Sequence, residues 1–225
     1  MTTHLLRPLT AALALALWLP AGAGAHDDDD VSVRAGTSLA GMPFPSNRYT
    51  VFDGSQRTLR RVKLPMPDCT VRPSDCADVA VLNQLDGFST QPRITVPFTG
   101  DINVSTVTSD TVFLLNLGDT FTGAGAGERV GINQVVWDPA SKTLAFQSNE
   151  LLQQHSRYVL LVTNGVRDAK GKKIKSGGWG EDLGEAFGRD REGAEYRGEL
   201  RGAVNALRGL RHKVVAASVF TTQSK

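Results

Sequence analysis

The segment from Pro65 to Cys76, Pro-Met-Pro-Asp-Cys-Thr-Val-Arg-Pro-Ser-Asp-Cys, constrains this chain more than any other. Cys69 and Cys76 are its only cysteines, with six residues between them. Pro65, Pro67 and Pro73 remove backbone donors and fix φ, so the stretch is expected to run as neither a helix nor a central strand. A Cys69–Cys76 bridge would give it a fixed shape without a core of its own, provided the compartment is oxidising.

The N-terminus bears on that condition. His4 and Arg7 precede Leu9–Leu19, which is apolar but for Thr10 and too short to span a bilayer. Pro20 breaks the run, and Ala21-Gly-Ala-Gly-Ala25 supplies small residues for cleavage after Ala25. Residues 1–25 therefore read as a signal peptide, and the product as exported to the periplasm, the outer surface or the medium. Export, with no other cysteine to pair with, makes the Cys69–Cys76 disulfide the expected state. The following His26-Asp-Asp-Asp-Asp30 reads as a solvated tail.

Periodicity divides the rest. Residues 26–92 are poorly periodic, yet Phe44, Tyr49, Phe52, Leu64, Val79, Leu82 and Phe88 need burial, so this is an ordered extension that wraps something. Thr58–Leu64 is a short strand candidate, and Asp78–Leu85 one or two turns of helix. From residue 93 onward the apolar residues alternate. Arg93–Phe98 places Ile94, Val96 and Phe98 on one face, and Pro97 marks an edge strand or a bulge. Strands are expected at Thr111–Leu117, Gln134–Trp137, Thr143–Gln147, Arg157–Thr163 and Val214–Thr222, with a helical turn at Asn149–His155. Short strands at this spacing argue for a β-sandwich over 93–225. The rhythm breaks over about 181–213, where Leu200, Val204, Leu207 and Leu210 fall near one face of a helix, so the sandwich is read as carrying a helical insertion before its last strand.

Several motifs carry a family resemblance. Phe44-Pro-Ser-Asn-Arg-Tyr-Thr50, Leu64-Pro-Met-Pro-Asp-Cys69, Asp86-Gly-Phe88, Gln91-Pro-Arg93, Val135-Val-Trp-Asp-Pro139 and Ser218-Val-Phe-Thr-Thr-Gln223 resemble the N-terminal region of bacterial extracellular virulence-factor lipases. Ile94–Phe98 with Tyr158–Gly171 is similar to bacterial Ig-like modules of the S-layer type. The likeness covers about residues 43–223. It implies an Ig-like β-sandwich, and in the lipase family this region precedes an α/β-hydrolase domain, which would begin about where this sequence stops.

Catalytic signals are sparse. A nucleophile elbow is written G-x-S-x-G because the strained turn needs small neighbours, and Gly36-Thr-Ser38-Leu-Ala40 lacks the second glycine. His155 reads as a surface residue, and His212 as a complement to a helix C-terminus. Neither has a partner at metal-ligand spacing. Gly123–Gly127 lacks the lysine and helix of a phosphate loop. With 25 basic against 23 acidic residues, nothing suggests nucleic acid. The cations Arg167, Lys170, Lys172, Lys173 and Lys175 suit either a solvated loop or an anionic surface.

The expectation is an exported module without catalytic, cofactor or metal residues of its own, which supports or positions a hydrolase domain supplied in the same chain or lost. Trp179, Leu200, Val204 and Leu207 are the candidate contact surface for that domain, the rival being that the helix merely caps its own sandwich. A free-standing bacterial Ig-like surface or adhesion module, or a hydrolase with an unrecognised site, remain the alternatives.

Overall fold

The computed structural model describes residues 30–179, 187–207 and 213–224. Residues 1–25, expected to be a signal peptide, His26 and the acids 27–29, and Leu210 and His212 of the insertion lie outside the described residues.

The chain is an Ig-like β-sandwich with an irregular N-terminal extension and a helix inserted before the last strand. Strands β1 (Thr50–Phe52) and β2 (Arg60–Val62) form a small hairpin in the extension, and helix α1 runs from Pro73 to Leu82. The sandwich is built from β3 (Ile94–Pro97), β4 (Val112–Asp119), β5 (Arg129–Val130), β6 (Ile132–Asp138), β7 (Thr143–Ser148), β8 (Ser156–Thr163) and β9 (Val214–Thr221). One sheet has the order β3-β7-β6 and the other β5-β4-β8-β9, with every pairing antiparallel. Helix α2 (Arg191–Ala206) packs on β9.

Alternation explains the core. Ile94 and Val96 pair with Phe146 and Leu144 across β3 and β7, while Tyr158, Leu160 and Val162 of β8 oppose Phe220, Ser218 and Ala216 of β9. Apart from Ser218 these belong to one buried apolar core. Leu115 and Trp137, which the same alternation places in the core, are only partly buried. Strands β8 and β9 are buried along both faces almost throughout, and α2 packs on β9. Pro97 occupies an edge strand, as its missing N–H requires.

Two local expectations fail, each for a definite reason. Pro73 does not exclude a helix: it stands in the first turn of α1, where no intrahelical donor is needed, so α1 begins inside the cysteine segment and carries Cys76. Asn149–His155 forms no helix, because its backbone bonds go elsewhere: Leu152 donates to Thr90 and His155 to Gln223. The glycine-rich stretch Thr122–Gly131 includes strand β5, which pairs with β4. In the insertion, the described helix is Arg191–Ala206; residues 180–186 and 208–212 lie outside the described residues.

The extension wraps the sandwich by covering its open edges. Phe44 exchanges backbone bonds with Thr95 on β3, and Arg34 donates to the carbonyl of Pro97. Phe88 does the same for the end of β9, donating to Thr221 and accepting from Gln223. Edge strands left unpaired would invite association, and these contacts close them. A glycine is required at 87, where a Cβ would lie 2.6 Å from the carbonyl carbon of Thr222.

Cys69 and Cys76 are joined in a disulfide. Cys76 is the one buried residue of α1, whose Val81 and Leu82 are exposed. The bridge, rather than packing, therefore fixes this knob. Reduction, or Cys69→Ser, is expected to cost about 2–3 kcal/mol and to raise amide exchange in α1 ahead of the strands. Two titratable thiols in the non-reduced exported protein would remove the idea.

Candidate functional site

Polar side chains converge where the extension, α2 and β9 meet. Residues Asn47–Tyr49 form a single 3-10 turn, capped by Ser46, whose Oγ accepts from the Arg48 N–H at 3.2 Å. The turn presents Asn47 to one side and Arg48 to the other. Asn47 Nδ2 donates to Glu199 Oε2 at 3.0 Å and to Thr221 Oγ1 at 3.1 Å, joining the extension to α2 and the last strand at once. Glu199 also pairs with Arg60 of β2, whose Nη1 donates to Thr50 Oγ1 at 2.8 Å.

Arg48 holds the start of α2. Its Nε donates to the Phe187 carbonyl at 3.1 Å, and its Nη2 lies 3.0 Å from Asp190 Oδ2. Asp190 caps α2, accepting from the Gly193 N–H at 2.7 Å; that bond, ahead of the Arg48 charge, holds its carboxyl below the usual range. On the inner side, Ser218 Oγ donates to the Pro45 carbonyl at 2.9 Å and lies 3.2 Å from the Tyr196 hydroxyl. Burial pushes the Tyr196 phenol up, and that of Tyr49 to about 12, so both stay neutral hydrogen-bonding groups. The site is a clamp: apart from the buried Asn47 Oδ1, which has no hydrogen-bond partner, its groups are engaged with one another, and what it does is hold three parts of the chain together.

The residues singled out from sequence as a contact surface belong to this same interior. Leu200 is 2% exposed and Leu207 4%, Val204 is half-buried against the core, and Trp179 packs edge-to-face on Phe187, its ring centroid 5.1 Å away. The Trp179 indole N–H donates to the Arg34 carbonyl at 3.3 Å. Leu200 and Leu207 thus have no free area to offer a neighbouring domain. The apolar face of α2 serves its own sandwich, where the helix packs on β9.

His155 is not a surface residue either. Its side chain is 17% exposed, and Nδ1 meets the Asp119 carboxylate. The Thr122 and Phe121 backbone N–H groups, with the histidine a lesser contributor, hold the Asp119 carboxyl down to about 2. This pair closes the β4–β5 loop. The basic residues Arg167–Lys175 form a tight loop in which Asp168 Oδ1 accepts from the Lys172 N–H at 2.7 Å, with Lys170 and Lys173 exposed at its tip. Among the described residues no group of three His, Cys, Asp or Glu side chains could hold a metal ion.

Asn47 and Glu199, the centre of the clamp, were not singled out from the sequence. The one available signal was Asn47 within Ser-Asn-Arg, flanked by residues that need burial; Glu199 looks like any exposed helix position.

The strand order and the matched residues agree. A family model described as bacterial Ig-like domain matches residues 73–179. That stretch carries an Ig-like module. The Ig-like match takes in α1 and β3–β8, and the structure adds α2 and β9 to the same sandwich. Among solved structures, the chain is similar to the S-layer protein rSbsC, at 14% identity over 46% of this chain and 14% of that one, with a TM-score of 0.30. It is also similar to domains 1–6 of surface layer protein SbsC, at 14% identity over 48% and 16%, with a TM-score of 0.30. The chain thus spans about a seventh of the length of these relatives. No curated protein matches it.

Proposed function

We propose that this chain is an exported, non-catalytic Ig-like module that supports and positions a hydrolase domain. The observation that carries this reading is the clamp. Asn47 and Arg48 fasten the extension to α2 and β9, so the wrap, the helix and the last strand form one rigid body up to Ser224, whose N–H donates to Asp86 at 2.9 Å. A fixed mount of this kind holds a neighbour in one orientation, which is what a supporting module must do. The residues that build it, Phe44–Thr50 and Ser218–Gln223, are the ones whose sequence resembles the lipase N-terminal region.

The purified, oxidised protein is expected to release p-nitrophenol from its esters no faster than buffer. A lipase-type hydrolase domain joined after Lys225 should lose activity at a higher temperature than the same domain alone. Turnover abolished by one serine or histidine substitution would overturn the non-catalytic reading. Identical inactivation of the joined and the isolated domain would overturn the supporting role.

A free-standing surface module is the second reading, favoured by the Ig-like match and by the exposed cations at the 167–175 loop. It requires salt-sensitive sedimentation with anionic vesicles that Lys170→Glu with Lys173→Glu removes.

A further inference from the structure

A groove runs beside the clamp, between α2, the β1–β2 hairpin and the outward face of the second sheet. It has two lobes, of about 290 Å³ and 250 Å³, which share Arg157 and Glu199. The first is walled by Leu117, Ala203 and Val219, and is mainly apolar. The mouth of the second carries Phe52 and Leu59, 71% and 42% exposed.

Its charges are unequal. Glu199 is engaged by Arg60 and Asn47, so its carboxylate is compensated. Arg157 forms no ion pair among the described residues. It projects from β8 between Gly118 of β4 and Thr221 of β9, so the neighbours on both strands are small and leave its guanidinium accessible. Thr120 lines the same lobe, and its Oγ1 is buried with no hydrogen-bond partner. One uncompensated cation and one unpaired hydroxyl thus stand in the more polar second lobe, and the cation is shared with the apolar first lobe.

The helix side of the trench is open by composition. Gly202 lines it, and a Cβ there would meet nothing within 4 Å; the same holds for Gly198 one turn earlier. Glycine at two positions inside α2 lowers helix propensity by about 1 kcal/mol each relative to alanine. Larger residues would fill the trench.

We propose that this groove binds a single-chain carboxylate amphiphile, with the head on Arg157 and Thr120 and the alkyl chain along Leu117, Ala203 and Val219. A planar carboxylate matches the guanidinium fork. Each lobe falls just under the usual range of about 300–1,000 Å³ for ligand clefts, which suits a slender chain better than a ring system. The inference goes beyond the supporting role and stands whether or not a hydrolase is the partner.

Calorimetric titration of the oxidised protein with laurate, below its micelle concentration, tests it directly. One saturable equivalent is expected, weakened at least tenfold by Arg157→Gln. Gly202→Leu should abolish binding while leaving the melting temperature of the free protein unchanged or raised. Dodecyl maltoside and dodecyltrimethylammonium should bind at least tenfold more weakly than laurate. Absence of saturable binding, equal affinity for the cationic amphiphile, or unchanged laurate affinity in Arg157→Gln would each overturn the proposal. None of these outcomes depends on esterase activity or on a joined hydrolase.

Discussion

Replacing Phe220 by alanine is expected to lower the unfolding free energy by about 3–5 kcal/mol. Phe220 is fully buried and stacks on Tyr158, its ladder partner, at a centroid distance of 5.9 Å. It lies on β9, on the far side of the α2 insertion from the rest of the sandwich, so the experiment asks whether the last strand is part of the core. Removing the ring deletes apolar contact and leaves a space that neighbours on two strands cannot fill, since both are held by ladder bonds. Urea unfolding followed by fluorescence should show the midpoint falling with the slope unchanged. A loss under about 1 kcal/mol would mean that the ring contributes little to the core.

Glu199→Ala is expected to cost about 2–3 kcal/mol. Breaking a fully buried ion pair costs about 3–5 kcal/mol because the surviving charge is stranded. Here both Glu199 and Arg60 side chains are 23% exposed, so solvent reduces the figure. The loss would leave Arg60 facing Arg157 with only the Glu195 carboxylate to offset it, in a place where burial already lowers the Arg60 guanidinium pKa. Asn47 would also lose one of its two acceptors. A double-mutant cycle with Asn47→Ala separates the two contributions, with a coupling of about 0.5–3 kcal/mol expected for a shared network. Strictly additive losses would mean that the two side chains act independently and that the clamp is not one unit.

The strands were legible because period-2 alternation leaves its mark on sequence whenever a face is buried. Ile94, Val96, Phe98, Phe146, Tyr158, Leu160 and Val162 could be assigned from their spacing, and all are buried. The extension could be read only as needing burial, because its edge-closing contacts use backbone groups that no side-chain pattern encodes. α1 was legible in its second half, within Asp78–Leu85, but its start was hidden by weighing Pro73 as a breaker when its position in the first turn makes it a starter. α2 was legible as an amphipathic helix, but its destination was not: the same leucines suit a face offered to a partner or a face closed on the sandwich. The clamp was the least visible. It joins residues 152 and 174 positions apart, and a lone asparagine or glutamate carries no mark of the partner it will meet.

That separation also sets an order of events. Asn47 completes its bonds only when Glu199 and Thr221 are in place, so a turn made early is fastened late. Contacts this distant in sequence are slow to form, because the loop-closure entropy is lost before the bonds compensate for it. Until β9 emerges, the extension lacks the second of its two acceptors for Asn47 and a strand end for Phe88 to close. A nascent chain can therefore seat the Phe44 end of the extension on β3 early, while the Asn47 and Phe88 contacts wait for β9.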